Sequence, residues 1–282
     1  MKGWPFYMLA AVIFVIALGF LPGFRVGEIA KAGAVAFDGV PRAIAFFGAL
    51  AGTALVLAGI GADVNQEPLG VLQSSRNAYS LSRFQMTLWT WLVLSALIAG
   101  AVCRAWGLGA GNLGTALDID INGDLFAVMG ISYFTGAATP ALLALKAQGA
   151  SDPASAAAVT GRAGETMLVQ GQVVVRPAGR PPRLGDLVQG DDVGSGGIVD
   201  LSKVQQLLIT LLLIGTYGVM LFGLFAYGPF SGPKSDHTIL PAFPQNFVGL
   251  LALSHGGYLA YKAAPKSAPG APAGPPAPPV GR

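Results

Sequence analysis

The sequence predicts an all-α membrane protein, and three observations carry that reading. Apolar residues make up 53% of the 282-residue chain and charged residues only 11%, where a soluble domain carries about a quarter charged. Six apolar stretches approach the length a bilayer demands. A polar motif recurs at the head of two of them and marks two helical hairpins that cross in the same sense.

The spans come first. A hydrocarbon core about 30 Å thick takes roughly 20 residues of helix, because every backbone polar group must be satisfied within the segment. The stretches run over residues 4–21, 43–61, 86–102, 125–145, 207–227 and 247–261. The last is short and needs flanking residues or local thinning of the bilayer. The first reads two ways. Lys2 ahead of an apolar run fits a cleavable signal peptide, yet Leu21-Pro-Gly-Phe24 offers no small-residue cleavage site, and the nearest Ala-x-Ala lies downstream at Ala34 to Ala36. The count is six transmembrane helices, or five if the first is a cleaved signal. With the N-terminus inside, twelve Lys and Arg fall on the inner side and five on the outer. That asymmetry predicts both termini in the cytoplasm.

The internal repeat follows from self-comparison. Leu81-Ser-Arg-Phe-Gln85 opens the third span and Leu201-Ser-Lys-Val-Gln205 opens the fifth. Leu-Gly-x-Leu precedes each, at Leu69 to Leu72 and Leu184 to Leu187, and a small-apolar-serine step follows, at Ser132 and Ser254. Two spans separate the repeat starts, so the hairpins have parallel topology. The organisation is then residues 1–62 for two leading spans, 63–146 for the first hairpin, 147–200 for a cytoplasmic polar loop, 201–263 for the second hairpin and 264–282 for a Pro/Ala-rich disordered tail. Ser82 and Ser202 read as helix N-caps, with Arg83 and Lys203 reaching headgroups from the first turn. Gln85 and Gln205 read either as hydrogen-bonding partners across the pseudo-axis or as the lining of a polar pore mouth.

The blocks Tyr79-Ser-Leu-Ser-Arg-Phe-Gln-Met86 and Leu250-Leu-Ala-Leu-Ser-His-Gly-Gly-Tyr-Leu-Ala-Tyr-Lys262 carry a resemblance. Together they resemble a family of uncharacterised bacterial polytopic membrane proteins with duplicated Ser-Leu-x-Arg-x-Gln-Met and Leu-Ala-Leu-x-Gly-Ile-Ser helices. Lys203-Val-Gln-Gln206 departs from that form. The resemblance implies a fold and the bacterial inner membrane, but no activity.

Other residues invite sharper readings. Asp118, Asp120, Asn122 and Asp124 match the first half of a calcium loop, but Met129 occupies the twelfth position where a bidentate glutamate belongs. The alternative is that Asn122 or Asp120 caps the fourth span. His255 lies inside the sixth span, where an ionisable residue is either an interhelical hydrogen-bonding group or a functional one; His237 falls in a Gly/Pro loop and reads as solvated. Gly48 and Gly52 form a Gly-x-x-x-Gly face for close helix contact, unless the span is simply glycine-rich, and Gly215, Gly218 and Gly223 invite the same reading. In the long loop, residues 167–175 alternate around Gly171 as a strand hairpin would. With few large apolar residues around it, the loop predicts a tethered, partly ordered segment.

The single cysteine, Cys103, excludes an intramolecular disulfide and a cysteine-based zinc cluster. Scattered basic residues give no nucleic-acid signature. No catalytic, cofactor or metal constellation is apparent. The expectation is a non-catalytic scaffold or anchor that meets the lipid bilayer and either further copies of itself or other membrane proteins. The alternative is an oligomeric pore or passive transporter with Gln85, Gln205 and His255 on its path.

Overall fold

The computed structural model describes residues 2–20, 39–108, 117, 119–162, 167–177, 179–227 and 240–264. Asp118, His237 and nearly all of the tail lie outside them. In chain order the elements are α1 (Trp4–Phe14, continued by a π-helical segment Val15–Phe20), α2 (Gly39–Asn65), α3 (Leu81–Leu108), α4 (Gly123–Gln148), α5 (Pro153–Arg162), β1 (Leu168–Gln170), β2 (Val173–Val175), α6 (Leu201–Tyr227) and α7 (Gln245–Ala263). Among the described residues, α2, α3, α4 and α6 are long and apolar enough to cross a membrane. Each spans about 40 Å at 1.5 Å per residue, so its ends extend beyond a hydrocarbon core of about 30 Å. Phe47, Leu94, Phe134, Leu211, Val219 and Leu253 point outward and exposed, as lipid-facing side chains do.

Sequence explains how α1 meets α2. A side chain at Gly48 would overlap Ala17, one at Gly52 would overlap the Phe14 ring, and one at Gly59 would overlap Tyr7. The pairs run in descending order, so the two helices are antiparallel with their backbones in close approach. The N–H of Gly3 donates to Asp63 at 2.8 Å and ties the start of α1 to the end of α2. Gly215, Gly218 and Gly223 have open space where a Cβ would stand, so the close-packing reading fails for them: that stretch of α6 presents its glycines away from its neighbours.

The bundle core holds Phe46, Trp89, Leu125, Tyr217, Leu221, Phe225 and Leu251. Phe46 stacks on Phe225. Leu240 and Phe243, just before α7, insert into the same core, where Phe243 stacks on Tyr217 and meets Trp89 edge-on. Contacts between helix ends fix direction. The start of α1, the end of α2, the starts of α3 and α6 and the ends of α4 and α7 all gather at one end of the bundle.

The described residues of 147–200 lie across that end as an ordered cap, not as the tethered, partly ordered loop expected. Asp152 opens α5 by accepting from the Ser155 N–H and hydroxyl at 2.9 and 2.8 Å, and those bonds lower its pKa. β1 and β2 form a two-stranded antiparallel hairpin with Gln170 opposite Val173. Its turn holds Gly171 at φ +58°, and a Cβ there would overlap the Ala147 carbonyl. Gln172 N–H donates to the Lys146 carbonyl at 3.0 Å, so the turn closes the C-terminus of α4. A small apolar cluster of Val159, Met167, Val174 and Val193 fills the cap. The expectation failed because it counted large apolar residues and left out the ionic contacts that hold this segment down.

Candidate functional site

Two short connections position the site. A 3-10 turn, Gly70–Leu72, leads into α3, and a second, Leu184–Leu187, leads into α6. After each the chain doubles back: Ser80 N–H donates to Leu72 O at 2.9 Å and Asp200 N–H to Val188 O at 2.8 Å. The first helical bonds run from Phe84 to Ser80 and from Val204 to Asp200. The N-caps are therefore Ser80 and Asp200, and the assignment of Ser82 and Ser202 as caps is two residues late. Ser202 instead donates its hydroxyl and N–H to the Asp200 carboxylate, at 2.6 and 3.1 Å. Leu72, Tyr79 and Leu187 pack the two connections together. Asn77, at φ +55°, stitches them by donating to Pro177 O and Arg180 O at 2.8 and 2.9 Å.

At the centre sits Asp191, 5% exposed. Its carboxylate pairs with Arg76 from the first connection, with Lys203 of α6 at 2.7 Å and with Lys262 of α7. Lys203 also donates to Gln189 O at 2.6 Å, and Lys262 to the Tyr258 hydroxyl at 2.8 Å. The strand β2 holds the loop in place, with Val174 N–H donating to Asp191 O at 2.9 Å and Arg76 donating to Val174 O at 3.2 Å. Burial alone would raise the Asp191 pKa, but the three cations outweigh it and hold the carboxyl well below the usual range. Two further pairs extend the network: Lys146 with Asp192 at 2.8 Å, and Arg176 with Asp186. Asp186 also accepts from Arg183 N–H at 2.8 Å and Tyr79 N–H at 3.3 Å. Burial, then a hydrogen bond to Glu67, pushes the Tyr79 phenol up to about 12.

Below this ionic layer lies a neutral polar one. Gln85 donates to the Thr210 hydroxyl at 2.6 Å and accepts from Gln206 at 3.1 Å. On the neighbouring pair of helices, Thr135 of α4 meets His255 Nδ1 of α7 at 2.7 Å. Ser132 Oγ, Ser254 Oγ, Gln206 Oε1 and His255 Nε2 are buried with no hydrogen-bond partner among the described residues. One turn further along α3, Trp89 is fully buried with Tyr217 and Phe243 around it, and this aromatic cluster bounds the polar layer.

The structure relocates several residues singled out from the sequence. Gln205 is exposed and Gln206 is the partner of Gln85. Lys203, expected at headgroups, is 2% exposed inside the ionic layer, whereas Arg83 is exposed. The reason is helical phase. α3 buries Ser82, Gln85 and Trp89, whereas α6 buries Lys203, Gln206 and Thr210, so the buried face of α6 is one residue out of step with the motif. Asn122 is the N-cap of α4, accepting from Asp124 N–H at 2.8 Å; Asp120 is exposed. Among the described residues no three His, Cys, Asp or Glu side chains come together. Asp186, Asp191 and Asp192 were missed. Their signal was a set of acids in a loop that leaves α4 just after Lys146 and enters α6 just before Lys203.

No family model, curated protein or solved structure matches the chain. The family resemblance rests on its motifs alone.

Proposed function

We propose that this chain is a non-catalytic membrane protein acting as a scaffold or anchor in a membrane assembly, crossing the bacterial inner membrane six times with both termini cytoplasmic. The six apolar helices alternate in direction, and α1 with its π segment and α7 complete the count. The paired 3-10 turns and N-caps before α3 and α6 fit two hairpins of one origin. The observation that carries the reading is the Asp191 centre. It ties the described residues of 147–200 across the helix ends as a fixed platform, and Leu184, Val199 and, at the start of α6, Leu201 are exposed. Exposed apolar side chains of this kind fit contact with a partner. The partners are the bilayer and either further copies or other membrane proteins. Light scattering on detergent-solubilised protein, with cross-linking in native membranes, tests this. A defined complex larger than one chain, lost on Leu184→Asp, supports the scaffold. A monodisperse monomer with no cross-linked neighbour removes it.

A pore or passive transporter is the second reading, favoured by the buried unpartnered atoms of Ser132, Ser254, Gln206 and His255 within the bundle. It takes Gln85, Gln206 and His255 as the path, with the Trp89, Tyr217 and Phe243 cluster as a closed gate. Liposome flux that changes on Gln85→Leu supports it; no flux above empty liposomes sinks it.

A further inference from the structure

Beside the Asp191 centre a cavity of about 420 Å³ opens between the first turn of α3 and the last turns of α4. Its lining divides in two. Four cationic side chains, Arg76, Arg83, Lys203 and Lys262, line it with one carboxylate, that of Asp191. Ser75 and Ser80 line the same side, as does the start of α3, which adds hydroxyl groups and the positive end of a helix dipole; Ser74, also in the lining, donates its hydroxyl to the Ala78 carbonyl. The other side is apolar, built from Leu81, Pro140, Leu143 and Ala144. Pro140 and Ala144 are exposed on α4, a helix long and apolar enough to cross a membrane.

We propose that this cavity binds the phosphate of an anionic phospholipid, with the headgroup against the arginines and serines and the acyl chains along Pro140, Leu143 and Ala144. The argument is one of charge and position. Asp191 neutralises one of the three cations held in the buried wall, Arg76, Lys203 and Lys262, which leaves a surplus that such a wall does not carry without an anion, and Arg83 adds a further positive charge at the exposed edge. Lys203 and Lys262, 2% and 4% exposed, are held in place by Asp191 and so present a preorganised charge, while Arg83 at the open edge is the group that reaches a headgroup. A basic pocket between helices at the membrane surface is the arrangement that selects anionic headgroups. A free phosphate shares the polar half of this chemistry but has no use for the apolar wall.

The test uses the full chain in detergent with the vesicle lipids phosphatidylglycerol and phosphatidylcholine, and inorganic phosphate as a third arm. Native mass spectrometry reads bound lipid, and thermal unfolding reads stabilisation. Phosphatidylglycerol should be retained and raise the melting temperature, phosphatidylcholine should do neither, and inorganic phosphate alone should have little effect. Arg83→Gln should weaken retention about fivefold and Arg83→Lys should restore most of it. Because Arg83 is exposed, its variants separate binding from folding, which the unliganded melting temperature checks. Equal retention of the two lipids, or retention unaffected by Arg83→Gln, overturns the proposal. Stabilisation by inorganic phosphate with no lipid preference overturns the lipid assignment.

Discussion

Replacing Asp191 with asparagine keeps the shape of the central side chain and deletes its charge. Three cations then share a pocket with no counter-ion, and Asp191 is buried too deeply for water to take its place. Removing one partner of a buried ion pair costs about 3–5 kcal/mol because the remaining charge is stranded. Here three are stranded, so the upper part of that range applies. On a chain of this size that is a fall of the order of 10 °C in melting temperature. The protein supplies its own reporter: the single thiol, Cys103, is buried. A maleimide dye therefore labels it only on unfolding, and labelling against temperature gives the melting point in detergent. The double variant Asp191→Asn/Lys203→Met removes one stranded cation along with the acid. It should be less destabilised than the sum of its single changes, since residues of one network do not add. A melting point for Asp191→Asn within about 1 °C of the parent would refute the reasoning, because it would mean that the cations are solvated rather than caged.

Two further outcomes follow from the same geometry. Asp191 has a folded pKa below its unfolded value of about 3.9, so its contribution is complete above that value and is lost only as pH falls through the folded one. Thermal unfolding followed by the fluorescence of the four tryptophans should thus show no loss of stability from this group between about pH 7 and 5 and a fall below about pH 4, and Asp191→Asn should flatten that fall. Gly48→Leu and Gly52→Leu should each drive α1 off α2, because the new side chain meets Ala17 or Phe14; overpacking of this kind costs about 1–3 kcal/mol, read as a lower melting point, whereas Gly215→Leu should be nearly neutral.

Much of the bundle is legible in the sequence because hydrophobic length and small-residue faces act locally. Gly48 and Gly52 could be read from spacing alone, and their neighbours in space, Ala17 and Phe14, belong to the adjacent helix of the same hairpin. The hairpin at Gly171 was legible for the same reason, since alternation and a glycine at positive φ are properties of a few consecutive residues. Gly136 was not. Its lack of a Cβ lets Met86 of α3 fit against α4, and nothing in its own helix marks it apart from other glycines. The Asp191 centre was still less accessible. Arg76 is separated from Asp191 by 115 positions and Lys262 by 71, so their pairing depends on how three helix ends and a loop converge. A basic residue at the end of an apolar span has two outcomes, a headgroup or a buried acid, and local sequence does not distinguish them.

Arg83 and Lys203 show how far that ambiguity extends. They hold the same place in a shared motif, two residues into helices whose N-caps are also equivalent, yet one is exposed and the other is 2% exposed. A one-residue shift turns a helix face by about 100°. That is enough to move a side chain from the surface to the core, and it makes Gln206 rather than Gln205 the partner of Gln85. What selects the phase is contact. α3 packs against α2, α4 and α6, while α6 packs against α2, α3 and α7 with the Asp191 loop at its foot. The acid gives Lys203 a partner in the interior, and a lysine with an interior partner can be buried where an unpaired one cannot. The motif therefore specifies where each helix begins, and the loop ahead of it specifies which way the helix faces. If that is the division of labour, moving the acid should move the face: the chain with Asp191→Asn should expose Lys203 to amine-reactive labelling while leaving Gln85 and Thr210 in contact, because their bond lies a further turn into the bundle and is closed by Gln206 from the same helix.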